Sequence, residues 1–193
     1  MKKQLSEMTL EELWQLFPII LREYNPEYKE WYLQEEENIK KVLVENEIKR
    51  ISHIGSTAVE GLVAKPIVDI LLEINENCVI ENIKEKLKEA GWILMSTQSS
   101  PDFKMVFNKG YTPDGFADKV FHLHVRFSGD WGELYFRDYL QSHKEVAREY
   151  GELKQRLQQE YKHNRDGYTE AKTEFINKWT KEARKVFANR YTP

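Results

Sequence analysis

The sequence has little of what would fix its location or its partners by simple means. Among 193 residues there is one cysteine, Cys78, which excludes an internal disulfide and fits a reducing compartment. The longest apolar stretch, residues 67–72, is interrupted by Asp69, so no membrane span is expected. The opening M-K-K-Q-L-S-E-M has no apolar core of a signal peptide, and a cytoplasmic location is the expectation. A basic surplus is missing too. Lys and Arg number 29 against 32 Asp and Glu, a net charge of -3, which argues against a nucleic-acid binder built on phosphate neutralisation. No Gly-Lys-Ser/Thr follows Gly61 and no G-x-G-x-x-G is present, which excludes a Walker loop and the dinucleotide fingerprint. No repeat, low-complexity tract or long linker divides the chain.

What is there is an ordinary globular composition, 40% hydrophobic and 32% charged, enough for one domain with a real core. Thr9 and Glu12 have the spacing of a capping box, predicting a short helix that Pro18 stops. Residues 19–24 suit an edge strand. Pro26 sits at the first position of a helix expected over 27–45. Strands follow at 48–54 and 66–74, the second almost continuously apolar and therefore central. A helix over 79–90 ends at Gly91. Residues 92–97 and 102–108 look like paired strands, 110–119 like a mobile loop, and 120–127 like a clear strand. From 128 onward the spacing is helical: 131–142, 144–161 and 169–189, the last with Phe175, Ile176, Trp179, Ala183, Val186 and Phe187 on one stripe. The layout predicts a single α+β domain, residues 1–193, whose portion 128–193 is helical.

Three features can carry chemistry. Gly55-Ser56 ends a strand, where a sharp turn leaves backbone N–H groups and a hydroxyl, with Thr57 next in line, facing a phosphate; a plain tight turn is the alternative. Asp69 is a lone acid among Ile67, Val68, Ile70 and Leu71, a costly position without a partner. It shares a strand face with Leu71 and Glu73. Glu73 lies ~13 Å away along the strand, too far to share one ion, and solvation at the strand end accounts for it. His122-Leu123-His124 puts two imidazoles on one face, a spacing for one metal ion or one phosphate, with Arg126 beside them to favour an anion. Lys65, at the mouth of the Asp69 strand, either pairs with Asp69, reaches a phosphate or lies on the surface. Arg137 shares an apolar helix face with Leu134 and Leu140, as a ligand contact or a structural ion pair. Lys172 lies on the buried stripe of the last helix, one turn before Ile176, and either snorkels or points into a pocket.

These blocks together resemble the GrpB family. The match rests on H-I-G-S-T-A-V-E-G-L-V-A-K-P-I-V-D-I from His53 to Ile70, then His122-Leu-His124, Phe136-Arg-Asp-Tyr-Leu140, and Tyr168 with Lys172, Phe175 and Ile176, in order along most of the chain. That family is similar to the DNA polymerase beta-like nucleotidyltransferases. The resemblance implies a nucleotidyltransferase-like mixed sheet with packed helices. It implies a nucleotide or other phosphorylated small molecule as ligand, and Gly55, Ser56, Thr57, Lys65, Arg126, Arg137 and Lys172 as its phosphate contacts. Asp69, His122 and His124 are then the candidate ligands of a divalent ion (Mg, Mn or Zn), with Asp69 the catalytic carboxylate. Relatives fused to dephospho-CoA kinase imply a link to coenzyme A metabolism. One departure matters: the position of the second metal carboxylate is Leu71, whereas two-metal catalysis needs acidic oxygens on both ions. Nucleotidyl transfer, a non-catalytic binding module on the same fold, and a single-metal phosphoester hydrolase are the readings that follow.

Overall fold

In the computed structural model, residues 3–193 are described. Helices α1 (Leu10–Leu16) and α2 (Glu27–Val42) precede strands β1 (Ile48–Ile54) and β2 (Val68–Ile74), which are joined by a loop carrying one short 3-10 turn, Ser56–Ala58. Helix α3 (Ile80–Glu89) leads to β3 (Ile93–Gln98), β4 (Lys104–Thr112) and β5 (Gly115–Phe127). The chain closes with α4 (Gly132–Ser142), α5 (Lys144–Glu160), α6 (Arg165–Glu170) and α7 (Thr173–Val186). Thr9 caps α1 with the reciprocal Glu12 bond its spacing predicts.

The five strands form one mixed sheet in the order β1-β2-β5-β4-β3, with β2 and β5 parallel and the other neighbours antiparallel. The period-2 alternation of β2 divides its side chains cleanly. Val68, Ile70, Leu72 and Ile74 join Leu123 and Val125 of β5 and Met105 and Phe107 of β4 under Tyr28 and Ile39 of α2 and Ile83 and Leu87 of α3. Each such buried side chain contributes about 1.5–3 kcal/mol. Asp69, Leu71 and Glu73 face the other way. There Leu71 meets Ile54 and Leu134 of α4, and a second core of Tyr135, Tyr139, Leu140, Val146, Tyr150 and Ala183 closes over Val59 and Leu62 of the β1–β2 loop. The helical C-terminal portion is thereby fastened to the loop that holds Gly55 and Ser56.

Four local expectations need correction. Residues 19–24 form no strand; they make one isolated bridge, Arg22 with Ala64, because the partner loop is irregular and Pro18 and Pro26 flank the segment. Residues 110–119 are not a mobile loop. The polar stretch hides a hairpin whose turn is only Pro113-Asp114, with Thr112 opposite Gly115, the Thr112 hydroxyl tying the turn and Tyr111 and Phe116 packed on Phe17. The helix predicted over 169–189 is broken between α6 and α7 at Ala171-Lys172, so Lys172 stands at a junction, not on a stripe. Glu73 is not solvated: it is fully buried, gripped by the Arg50 guanidinium on two oxygens and by the Gly129 N–H at 3.1 Å. Among the described residues no helix is long and apolar enough to cross a membrane.

Candidate functional site

Parallel pairing of β2 with β5 sets Asp69 beside His122, Leu71 beside His124 and Glu73 beside Arg126. Side chains of paired neighbours share a face, so two separate sequence motifs become one cluster. Asp69 Oδ1 is 3.1 Å from His122 Nδ1 and 3.5 Å from His124 Nε2, and one ligand atom from each of the three lies within 4.8 Å of the others. Asp69 keeps 28% of its side chain exposed and His124 25%, while His122 keeps 7%; the cluster is open on the His124 side. The far nitrogen of His122 is also engaged: Nε2 is 2.7 Å from the Tyr111 hydroxyl. Burial on its own would raise the Asp69 carboxyl; hydrogen bonds and charge from His122 and His124 outweigh it and hold Asp69 well below the ordinary range. Burial also pushes His122 down, against the pull of Asp69.

Gly55 packs directly on this carboxylate. Its φ of 72° and the position of Asp69 Oδ2, 2.5 Å from where a Cβ would stand, both require glycine. The next residue, Ser56, turns its Oγ toward Lys154 Nζ at 2.9 Å. Thr57 is 2% exposed and spends its hydroxyl on the Ile67 carbonyl and on His53, so it is a loop-fixing residue.

A cationic arc completes the site. Lys154 (α5), Lys65 and Lys172 act on one another and on Asp69 electrostatically, and Arg165, first residue of α6, acts on Lys65 and Lys172. Lys65 and Lys172 stand over the Tyr168 ring, 5.8 and 4.3 Å from its centroid. Burial, then the charges of Lys172 and Arg165, bring Lys65 down to about 7, Asp69 opposing. Burial brings Lys172 down to about 8, with Asp69 opposing and Arg165 assisting. Lys154 is pushed well below its usual range by burial and by both other lysines. The Tyr168 hydroxyl, buried between them, has no hydrogen-bond partner among the described residues.

Of the residues singled out in the sequence, the structure therefore gathers Gly55, Ser56, Lys65, Asp69, His122, His124 and Lys172. It does not bring Arg126 or Arg137 to them. Arg126 is two rows along the sheet, paired with Glu133 and laid over Trp131. Arg137 is spent on Asp138, the His53 carbonyl and the Tyr191 hydroxyl. A broad groove of about 1220 Å³ bounded by Tyr32, His53, Thr57, Arg137 and Arg148 does not include Asp69. Sequence reasoning missed Tyr111, Lys154 and Arg165, and named Tyr168 only as part of a matching block. For Lys154 a signal existed: it falls on the buried stripe Ala147-Tyr150-Gly151-Lys154-Leu157 of α5, a cation at a core position.

Comparison with known proteins agrees with this architecture. Residues 18–182 match the family model described as GrpB protein. The glutamate-rich protein GrpB of Alkalihalophilus pseudofirmus is 34% identical over 163 residues, which cover 82% of this chain and 92% of that protein. The UPF0157 protein YqkA of Bacillus subtilis is 30% identical, over 79% of this chain and 43% of its own length. Among solved structures, the conserved protein GrpB from Enterococcus faecalis superposes with a TM-score of 0.76 at 30% identity, covering 87% of this chain and 99% of that one. The Cid1 poly(U) polymerase superposes with a TM-score of 0.50 at 10% identity, covering 84% of this chain and 51% of Cid1; that likeness establishes a nucleotidyltransferase-like fold and nothing more.

Proposed function

The chain belongs to the GrpB family, and on that premise we propose that it binds a nucleotide or another phosphorylated small molecule beside one divalent ion held by Asp69, His122 and His124. The observation that carries the reading is the convergence of three ligand atoms within 4.8 Å, next to Lys65 and Lys172, which no neighbouring carboxylate pairs within ion-pair reach among the described residues. Charge crowded in this way is relieved by an anion.

The donor set selects the kind of ion. Two imidazoles and one carboxylate suit zinc, manganese or another transition ion better than magnesium, which prefers oxygen donors. His122 would bind through Nδ1, since its Nε2 is engaged by Tyr111. A pair of ions does not fit: Leu71 is fully buried against Ile54 and Leu134 where the second carboxylate would stand. When bound, a single ion would supply Lewis-acid polarisation of a phosphoryl oxygen. This chain's own groups do the rest. The Gly55-Ser56 turn brings backbone close to the ligand, and Lys65, Lys172 and Arg165 neutralise phosphate charge. Arg126 and Arg137, occupied elsewhere, take no part. Leu71 also supports a second reading, a module that holds its ligand without turning it over.

The test is thermal-shift and equilibrium-dialysis measurement with zinc, manganese and magnesium, alone and with nucleoside triphosphates or phosphorylated coenzyme A precursors. Binding of a transition ion that is lost in Asp69→Ala, and enhancement of phosphate-ligand binding by that ion, are the expected results. If neither ions nor phosphate ligands bind the wild-type protein, the proposal is wrong. Turnover abolished by Asp69→Asn separates the enzyme from the binding module.

A further inference from the structure

Lys154 is an unusual lysine. It is 2% exposed, it sits one turn after Tyr150 on α5 with Nζ 4.7 Å from that ring centroid, and its two hydrogen-bond partners are the Val63 carbonyl and Ser56 Oγ. Neither partner is an acid. An ammonium there would be a buried cation close to two other lysines, with Asp69 the carboxylate that acts on it from a distance. A neutral amine fits the same geometry. Nζ donates to the Val63 carbonyl and to Ser56 Oγ, and the Ser56 hydroxyl also contacts the Tyr150 side chain; a neutral amine could instead take the Ser56 hydroxyl proton on its lone pair. Burial and the charges of Lys172 and Lys65 both favour that neutral form. Ser56 then has what a nucleophile needs: a base at 2.9 Å and a place on a turn that glycine brings against Asp69.

We propose that Ser56 is a nucleophile with Lys154 as its general base, and that it takes a phosphoryl group from a phosphate ester or anhydride to give a covalent seryl adduct. The bond that forms is Ser56 Oγ–P. The bond that breaks joins phosphorus to the leaving oxygen, which departs with the electron pair, and the Ser56 proton passes to Lys154 Nζ. For the natural ligand this rests on the phosphate-binding reading above, but the dyad itself does not need metal or nucleotide.

The experiment uses that independence. A fluorophosphonate probe reacts with an activated serine by forming Oγ–P and expelling fluoride, with no metal required. The protein is treated with it in the presence of a chelator and read by intact mass and peptide mapping. The expected result is one adduct, on Ser56, absent in Ser56→Ala. Lys154→Met should slow labelling at least tenfold while the circular dichroism spectrum is kept. Lys154→Arg retains a cation and a hydrogen-bond donor to Ser56 but cannot act as a base, so it should fail to label as well. Labelling of wild-type protein that survives in Lys154→Arg, or no labelling of Ser56 at all, overturns the proposal. Labelling without any metal or nucleotide binding leaves the dyad standing and removes the phosphate-binding reading instead.

Discussion

Replacing Lys65 by methionine removes a charge and keeps most of the aliphatic stem. Lys65 is brought from 10.5 down to about 7, first by burial and then by Lys172 and Arg165. Below pH 7 the folded protein therefore holds an ammonium that water stabilises better than the site does. At about 1.4 kcal/mol per pH unit, the ceiling on that cost is about 5 kcal/mol. Lys65 is partly exposed, and screening by water brings the working figure to about 1–2 kcal/mol. Between about pH 7 and 10.5 the unfolded chain keeps a proton that the folded chain has lost, so stability rises with pH and the penalty fades, vanishing above 10.5. Lys65→Met should accordingly melt about 3–6 °C above wild type at pH 6, and the gap should close toward pH 10. Added pyrophosphate should raise the wild-type melting temperature and leave the variant almost unmoved. Thermal unfolding across a pH series, with and without the anion, measures both. A variant that melts lower at pH 6, or a gap that does not depend on pH, refutes the reasoning.

Three further outcomes are expected. Gly55→Ala forces a Cβ against Asp69 Oδ2 at a backbone angle that suits glycine; it should cost about 2 kcal/mol or more in urea unfolding and weaken ion binding together. Glu73→Ala strands the Arg50 guanidinium and the Gly129 N–H, and because Arg50 is itself partly exposed the loss should fall near the lower end of about 3–5 kcal/mol, again by urea titration. Tyr111→Phe removes the partner of His122 Nε2; zinc affinity measured by chelator competition should fall about 10-fold with the circular dichroism spectrum unchanged.

How much of this was legible beforehand depends on how local the cause was. Capping at Thr9, the apolar run of β2 and the lone acid in it are local facts, and they led to Asp69. The shared face of His122 and His124 followed from strand periodicity alone. That both belong beside Asp69 was expected from the resemblance, not from periodicity, because β2 and β5 are parallel neighbours separated in the chain by α3, β3 and β4. Glu73 was misjudged for the same reason: its partner Arg50 lies 23 residues earlier on another strand. Thr57, Arg126 and Arg137 look alike in sequence whether they meet a ligand or brace the fold, and the structure gives them partners of their own. Lys154 enters from α5, which packs into the second core, and Tyr168 from α6, which packs with Ile19 and Leu157; neither docking can be read from local spacing.

The central position of β5 has a consequence for how the molecule comes together. β4 and β5 are joined by a two-residue turn and can pair within microseconds of forming, as can β1 with β2 across their loop. The two halves meet only when β5 docks on β2, a contact between Asp69 and His122 that spans 53 residues. That docking carries the larger loop-closure entropy, and it is the step that first places an acid beside the imidazoles. Either half alone lacks the complete ligand set, so an ion that joins them would act on the folding equilibrium through this one step, stabilising the docked sheet in proportion to its affinity for the finished site.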